Sequence, residues 1–221
     1  SMVDGPGVRT TVFLKGCPLR CLWCCNSEGQ SKSIELKEEP ELCTACGNCE
    51  SICQVGAIEL SQGKLVSIDR SKCVACRRCA EVCYTRAIDV FGRSYTVDEV
   101  LADVLRDKDY YLATGGGVTI GGGEPTMHEE FTGELLQRLR ENGIHVALDT
   151  CGYTLSDRGR RLLDDADLLL FDIKGLNDEL HKKCTGVSNV PILENLKRRN
   201  SLGKDIIVRL PLIPGCTDSD E

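Results

Sequence analysis

Cysteines limit what this chain can fold into more than any other feature. Its 221 residues include 15 cysteines, and most of these are separated from the next by only two or three residues. A disulfide scaffold is one explanation, but such scaffolds are short and secreted. Cysteines at CxxC spacing in a reducing compartment indicate metal binding instead. The pattern therefore favours bound metal over disulfides.

One run of four cysteines occurs twice, with the second copy thirty residues after the first. The dipeptide Ala57-Ile58 behind the first copy recurs as Ala87-Ile88 behind the second. Two copies of one short unit predict a small pseudosymmetric module, which we place at residues 31–92. The eight cysteines of the two runs are Cys43, Cys46, Cys49, Cys53, Cys73, Cys76, Cys79 and Cys83.

The spacing C-x2-C-x2-C-x3-C resembles that of bacterial ferredoxins, in which the fourth cysteine of each run binds the other cluster. This resemblance implies two [4Fe–4S] clusters with crossed ligands. One would be held by Cys43, Cys46, Cys49 and Cys83, and the other by Cys73, Cys76, Cys79 and Cys53. The usual proline after the fourth cysteine is replaced by Gln54 and Tyr84. A pair of zinc sites is the alternative.

A third cysteine group, Cys17-x3-Cys21-x2-Cys24, lies near the start of the chain. Three thiolates would bind three irons of a [4Fe–4S] cluster and leave the fourth iron open, whereas four-cysteine sites are closed. Zinc is again the alternative, but it usually takes a fourth protein ligand. Cys25 is poorly aimed for that role because it directly follows Cys24.

The stretch VDGPGVRTTVFLKGCPLRCLWC (Val3–Cys24) resembles the radical S-adenosylmethionine (SAM) superfamily and, within it, the glycyl radical enzyme activating enzymes. The similar features are DGPG-x-RT, FLKGCPLRC and an aromatic residue inside the final CxxC. The resemblance implies that Cys17, Cys21 and Cys24 hold the catalytic cluster, whose open iron binds SAM. It also implies reductive cleavage of SAM to a 5′-deoxyadenosyl radical, which takes a hydrogen atom from a backbone glycine of a partner enzyme.

Three further segments resemble SAM-binding segments of this family. GGGEP at 121–125 is similar to SGGEP, and its glycines allow a close approach to a ligand. DTCG at 149–152 resembles DTNG with Cys151 in place of Asn, and DIK at 172–174 resembles DLK. The resemblance allows a monovalent cation beside the two aspartates. It implies SAM contacts for Gly122, Gly123, Glu124, Asp149, Thr150, Asp172, Lys174 and Arg209.

Some of these residues also have a purely structural explanation. The glycine run would be a flexible turn, Asp172 a helix N-cap, and Arg209 a member of an ion pair. The four cysteines outside the motifs would be ordinary free thiols; they are Cys25, Cys151, Cys184 and Cys216.

Strand and helix patterns alternate outside the cysteine module. Strands are predicted at 10–15, 118–120, 144–148, 168–173 and 206–212, and helices at 97–106, 129–141, 156–165, 176–183 and 192–199. This alternation predicts an α/β fold with a parallel sheet, whose functional residues lie at the carboxyl ends of the strands.

The family resemblance refines this to a partial (β/α)6-type radical SAM barrel with an inserted two-cluster ferredoxin-like domain. Residues 1–30 would form the first strand and the radical SAM cluster loop, 31–92 the insert, and 93–221 the remainder. Five strands are readable, so a sixth strand and a final helix are expected after Glu221.

Bulk properties exclude several classes of partner. A net charge of −7 disfavours nucleic acid, no apolar run is long enough to span a membrane, and the start lacks the features of a signal peptide. We therefore expect a cytoplasmic protein. The family resemblance adds the expectation of a monomer that takes electrons from a flavodoxin or ferredoxin.

The resemblance implies a glycyl radical enzyme as the partner. It would be one other than pyruvate formate-lyase, whose activating enzymes usually lack the insert. The alternatives are a radical SAM enzyme that acts on a small molecule with auxiliary clusters, and a non-catalytic electron carrier or fragment.

Overall fold

The structure is a computed structural model that describes Ser1 and residues 4–217. Two compact units are present in it. The main unit combines Ser1–Lys32 with Tyr95–Glu221, and the insert unit is Ser33–Ser94.

Strands and helices follow one another along the described part of the chain. The strands are β1 (Arg9–Leu14), β2 (Glu35–Glu38), β3 (Ile58–Ser61), β4 (Lys64–Ile68), β5 (Ile88–Phe91), β6 (Gly117–Gly122), β7 (His145–Thr150), β8 (Leu168–Asp172) and β9 (Ile206–Arg209). The helices are α1 (Asn48–Ile52), α2 (Arg78–Glu81), α3 (Val97–Leu105), α4 (Lys108–Thr114), α5 (Glu129–Glu141), α6 (Asp157–Asp165), α7 (Asp178–Thr185) and α8 (Val190–Ser201).

The main unit is built on a five-stranded sheet in the order β1-β6-β7-β8-β9, with every neighbouring pair parallel. The predicted parallel α/β fold is confirmed. Four of the predicted helices lie within two residues of observed ones, and α5 has the predicted bounds. The last strand ends at Arg209, earlier than predicted, and the nearby Pro211 has no N–H to extend a ladder.

Two differences from the predicted pattern have local causes. Helix α7 begins at Asp178 instead of residue 176, because the side chain of Asn177 caps it by accepting from the Leu180 N–H (3.0 Å). The N-cap alternative for Asp172 is wrong, because this residue ends β8 and pairs with Arg209 of β9.

Both faces of the central strands are buried, as a parallel sheet requires. On one face, side chains of β7 and β8 pack against Leu135 and Leu139 of α5 and Ile192 of α8 in one apolar cluster. Each such leucine or isoleucine stabilises the fold by roughly 1.5–3 kcal/mol. The opposite face includes the buried Ala147, Leu168 and Leu170.

Arg199 of α8 is fully buried, and its guanidinium donates to carbonyl groups at the end of α6 and beside the starts of β8 and β9. The last carbonyls of a helix lack intrahelical partners. The Arg199 guanidinium donates to the carbonyl oxygens of Leu163, Asp164, Ala166, Asp167 and Asp205, at 2.8–3.3 Å. It thereby joins the end of α6 to the starts of β8 and β9.

The insert unit contains two small antiparallel sheets, β2 with β5 and β3 with β4. Its buried core contains the repeated Ala57-Ile58 and Ala87-Ile88 pairs together with Leu36, Leu65 and Ile68. The repeat in the sequence is therefore a repeat of core positions. No helix within the described residues is long and apolar enough to cross a membrane.

Candidate active site

The first cysteine group lies on the loop that follows β1, at the carboxyl end of the main sheet. Backbone hydrogen bonds hold this loop on two sides. Gly16 and Cys17 donate to the carbonyls of Gly29 and Gln30, and Arg20 and Leu22 donate to those of Thr185 and Cys184, at 2.6–3.1 Å. The three cysteines are thus fixed on one short loop by neighbours from elsewhere in the main unit.

The thiols of this loop have unlike electrostatic surroundings. Burial raises the pKa of the Cys21 thiol to about 11, although the nearby Lys174 ammonium acts in the opposite direction. Contact with the Cys151 side chain lowers the pKa of Cys17, against the effect of burial. The charges of Cys17 and Cys24 also raise the pKa of Cys21, so the three side chains lie near one another.

The glycine-rich segment after β6 packs directly against this cysteine loop. The Gly123 N–H donates to the Leu14 carbonyl and the Glu124 N–H to the Gly16 carbonyl, both at 2.7 Å. A Cβ atom on Gly123 would lie 2.3 Å from the Gly16 carbonyl oxygen. Only glycine permits this approach, so the run is a packing contact and not a flexible turn.

The carboxylate of Glu124 is buried and points into the protein. It accepts hydrogen bonds from the N–H and hydroxyl of Thr126 (3.1 and 2.9 Å), the hydroxyl of Thr150 (2.8 Å), and the N–H and thiol of Cys151 (2.9 and 3.0 Å). Such a set of donors satisfies a buried charge. Glu124 therefore ties the end of β7 to the glycine-rich segment.

Sequence reasoning missed the position of Cys151. It is buried between Glu124 and Cys17, and both neighbours raise the pKa of its thiol. Its place inside the DTCG segment, beside two residues assigned to the site, is the signal that points to it.

Charged residues at the ends of β7, β8 and β9 form a network. Arg209 donates from Nε to Asp172 (2.7 Å) and from Nη2 to Asp149, and Lys174 donates to Asp172 (2.6 Å). The ion-pair explanation for Arg209 is confirmed. Burial raises the pKa of Asp149, and the charge of Arg209 opposes the rise. Two carboxylates and two cations thus balance within one part of the sheet edge.

All the residues assigned to SAM from the sequence fall in this part of the main unit. Lys174 acts on Cys21, Cys151 contacts Cys17, and Glu124 links the two neighbouring segments. The structure thus brings together the cysteine loop, the glycine-rich segment, the DTCG segment and the DIK segment.

In the insert unit, the first cysteine run and the end of the second line one cavity. Its lining includes Cys43, Cys46, Cys49 and Cys83. In the second run the charges of Cys73 and Cys76 act on Cys79, whose pKa burial raises to about 11. The cavity has the four sulfur donors of one crossed ligand set.

Backbone N–H groups surround the insert thiols. Cys43 accepts from Leu65 (3.2 Å) and Ala45 (3.4 Å), and the other pairs are Ala57 to Cys53 (3.3 Å), Ala75 to Cys73 (3.4 Å) and Ile88 to Cys83 (3.4 Å). These donors lower the pKa of Cys43 and of Cys53. Thiolates, which bind metal, are the form that such donors favour.

The cysteines of the described chain are thiols without disulfide partners. All 15 cysteines are free thiols. Among residues 4–217 no three side chains of His, Cys, Asp or Glu surround one point closely enough for a single metal ion.

Comparison with known families agrees with this geometry. Residues 42–87 match the 4Fe-4S dicluster domain, and residues 73–221 match the radical SAM superfamily. The chain belongs to the radical SAM superfamily. The superfamily match starts within the insert and leaves out Cys17–Cys24, but full-length relatives of this radical SAM protein cover the loop as well.

Those relatives are activating enzymes of glycyl radical enzymes. The isethionate sulfite-lyase activating enzyme of Nitratidesulfovibrio vulgaris is 44% identical over 226 residues, covering 100% of this chain and 74% of that protein. The trans-4-hydroxy-L-proline dehydratase activating enzyme of Clostridioides difficile is 42% identical, covering 100% and 73%. This radical SAM protein is therefore a glycyl radical enzyme activating enzyme, and the iron–sulfur and SAM predictions are confirmed at that level.

Similarity to solved structures is partial. A domain of a pyruvate-formate lyase-activating enzyme from Bacteroides vulgatus matches with 33% identity and a TM-score of 0.44. The match covers 48% of this chain and 65% of that one.

Proposed function

We propose that this protein forms a glycyl radical on a partner enzyme, using SAM and a [4Fe–4S] cluster held by Cys17, Cys21 and Cys24. The observation that supports this most is the convergence of the three cysteines with the glycine-rich, DTCG and DIK segments. The family membership supports the same reaction.

Bound together, a reduced cluster and SAM supply the hydrogen-abstracting radical chemistry of the superfamily. The residues of the chain bind and orient. In this proposal the backbone of Gly122 and Gly123 approaches the amino acid end of SAM, and Lys174 neutralises its carboxylate. Asp149, Asp172 and Arg209 set the charge of that wall, and the inward-facing Glu124 holds Thr150 in place. Arg209 already pairs with both aspartates and Lys174 with Asp172, so the proposal needs no monovalent cation.

The insert unit supports a total of three clusters in this proposal. Cys43, Cys46, Cys49 and Cys83 would hold one, and Cys73, Cys76, Cys79 and Cys53 the other. The N–H donors around four of these sulfurs support this assignment. The role of the two insert clusters would be to accept electrons from a flavodoxin or ferredoxin in the cytoplasm. The protein would act as a monomer.

The partner we propose is a glycyl radical enzyme other than pyruvate formate-lyase. Relatives of this chain are named as activating enzymes of an isethionate sulfite-lyase, a choline trimethylamine-lyase and a benzylsuccinate synthase, at 39–44% identity. Because relatives of one sequence type are named for such different partners, the proposal takes as substrate the glycine loop that these partners would have in common.

A panel of partners tests the proposal. The reconstituted protein would be mixed anaerobically with SAM, a strong reductant and a purified isethionate sulfite-lyase, hydroxyproline dehydratase or choline lyase. We expect a glycyl radical signal by electron paramagnetic resonance with one partner, and none when its radical glycine is replaced by alanine. SAM cleavage with no signal on any partner, together with a modified small molecule, would favour the small-molecule alternative. Absence of SAM cleavage would indicate an electron carrier.

A further inference from the structure

The two cysteine copies of the insert unit differ at positions where the backbone makes the difference costly. Gly47 and Gly56 of the first copy have φ of 75° and 60°, in the left-handed region. Thirty residues later, Arg77 and Arg86 have φ of 69° and 59°. Residues with a Cβ are disfavoured there and glycine is not. The second copy therefore keeps arginine where the first copy shows that glycine fits.

Charge is what these arginines add. Between Cys73 and Ala87 the arginines are Arg77, Arg78 and Arg86, and with the single acid Glu81 they give a formal charge of +2. The first copy, Cys43 to Ala57, has only Glu50 and a charge of −1. The positive copy lies in a chain whose net charge is −7.

These arginines form no ion pair within the described part of the chain. Arg77, Arg78 and Arg86 are exposed, and none of them pairs with a carboxylate in the described part of the chain. Other cations of the insert unit do pair, since Arg70 contacts Glu38 and Lys72 contacts Asp69 at 2.9 Å. The three arginines are therefore available to a partner, and two of them, Arg77 and Arg86, are at strained positions.

We propose that the surface Val74–Arg78 is the docking site of an acidic electron-transfer protein. This rests on the proposed function, in which the insert accepts electrons. One electron would pass from the reduced donor, which is oxidised, to the cluster held by Cys73, Cys76, Cys79 and Cys53, which is reduced. Cys76 is exposed between the arginines and Val74, which is 66% exposed and offers an apolar contact.

The first copy cannot offer the same attraction. Thr44 stands in the place of Val74, and Gly47 and Asn48 stand in the places of Arg77 and Arg78. An acidic donor approaching a chain of net negative charge is steered only by a local positive surface. The donor therefore enters at the second run.

The double variant R77G/R78N tests this by giving the second copy the residues of the first. The holoprotein would be mixed in stopped flow with a reduced acidic flavodoxin at low ionic strength, and cluster bleaching followed. We expect the second-order rate constant to fall about tenfold, and the difference to disappear near 0.5 M salt. The neutral reductant photoreduced 5-deazariboflavin should reduce both proteins equally.

A matched control is R106Q/R161Q, which removes two exposed charges from the main unit and should keep the flavodoxin rate within about twofold. An unchanged flavodoxin rate in R77G/R78N, or an equal fall with both reductants, would overturn the proposal. A lowered melting temperature with loss of iron would also overturn it, by giving the arginines a structural role; we expect no loss, because glycine suits φ near 70°. SAM cleavage with a chemical reductant should persist in the variant, which keeps this test separate from that of the proposed function.

Discussion

The cysteine loop of the main unit and the cysteine runs of the insert unit present their sulfurs in different ways. In the insert, the sulfurs accept hydrogen bonds from backbone N–H groups, as Cys43 does from Leu65 and Ala45. In the main unit, Cys17 also accepts from the Leu19 N–H, but distant side chains are added to it, with Cys151 beside Cys17 and Lys174 beside Cys21.

This difference shows what each region can vary. A backbone N–H is present whatever the side chain, so the insert motif is local and could be duplicated as a unit. The surroundings of Cys17 and Cys21 come from segments more than a hundred residues away, so they depend on the whole main unit.

The largest expected effect comes from removing the cysteines of one region while those of the other are kept. C17A/C21A/C24A should lose all detectable SAM cleavage, on the order of a thousandfold or more, and about a third of the iron. C43A/C46A/C49A should lose a similar share of iron but keep SAM binding and its cleavage by a strong chemical reductant. Iron analysis and chromatography of 5′-deoxyadenosine measure both. Cleavage retained by the first variant would show that the main-unit loop is not the catalytic site.

The buried network of the main unit should be sensitive to a single atom. In E124Q, an amide NH2 replaces an oxygen that accepts from Thr150 and Cys151, so donors face each other. We expect a loss of about 2–3 kcal/mol in the free energy of unfolding, measured by urea denaturation under anaerobic conditions.

The matched control is E134Q, on the exposed face of α5. Glu134 is 59% exposed, and its ion pair with Arg138 is long, at 3.7 Å. It should change stability by less than about 0.5 kcal/mol. Equal effects of the two substitutions would show that Glu124 is not a structural link between segments.

Reduction potentials should separate the two regions. Hydrogen bonds to cluster sulfurs stabilise the reduced, more negative state. The insert clusters should therefore be reduced at potentials higher than that of the main-unit cluster without SAM, by on the order of 100 mV. Redox titration followed by electron paramagnetic resonance, with the two triple-cysteine variants used to assign signals, measures the gap. The reverse order would mean that the backbone donors do not control the potentials.

The smallest expected effect is a change in the pH at which acid unfolds the protein. Lys182, Ser188 and the Asn189 N–H hold the pKa of Asp178 near 2, below its usual value of 3.8. A lowered carboxyl pKa adds stability above pH 3.8, and this stability is lost as pH falls towards 2. D178N should therefore raise the pH at which the main unit unfolds, followed by fluorescence of Trp23, the single tryptophan.

D157N is the control for this experiment, since Asp157 is 85% exposed in the first turn of α6. Its acid transition should match that of the unmodified protein.

In the insert, hydrogen bonds from Ser71 and Lys72 lower the pKa of Asp69, so D69N should release insert iron at a higher pH.

The sequence predicted which segments meet but not how their side chains are directed. Parallel strands place their carboxyl ends at one edge, so the convergence of Gly121–Pro125, Asp149–Gly152 and Asp172–Lys174 followed from the strand pattern. That Glu124 turns inward towards Thr150 and Cys151 depends on rotamers in segments 26 residues apart, which no local pattern encodes. Its role as a SAM contact stays a prediction.

Two features of the fold were likewise not predictable from the sequence pattern. Helix α4 has the sequence KDYYLAT, in which Tyr111 is the buried residue, too short a stretch for helical periodicity to be recognised. The buried Arg199 looks like any surface arginine in the sequence, because the carbonyls that it contacts lie more than thirty residues away in α6 and the turn after it, or in the loop before β9, and meet only on folding.

Arg199 has a consequence for how the main unit opens. When its side chain leaves, the carbonyls of Leu163, Ala166 and Asp205 lose their hydrogen bonds to the guanidinium together, so partial opening at this corner is disfavoured. The ends of α6 and α8 and the starts of β8 and β9 should then exchange their amide hydrogens as one slow cooperative unit. Lysine, with a single nitrogen, cannot reach all of these oxygens at once, and the same amides would then exchange independently and sooner.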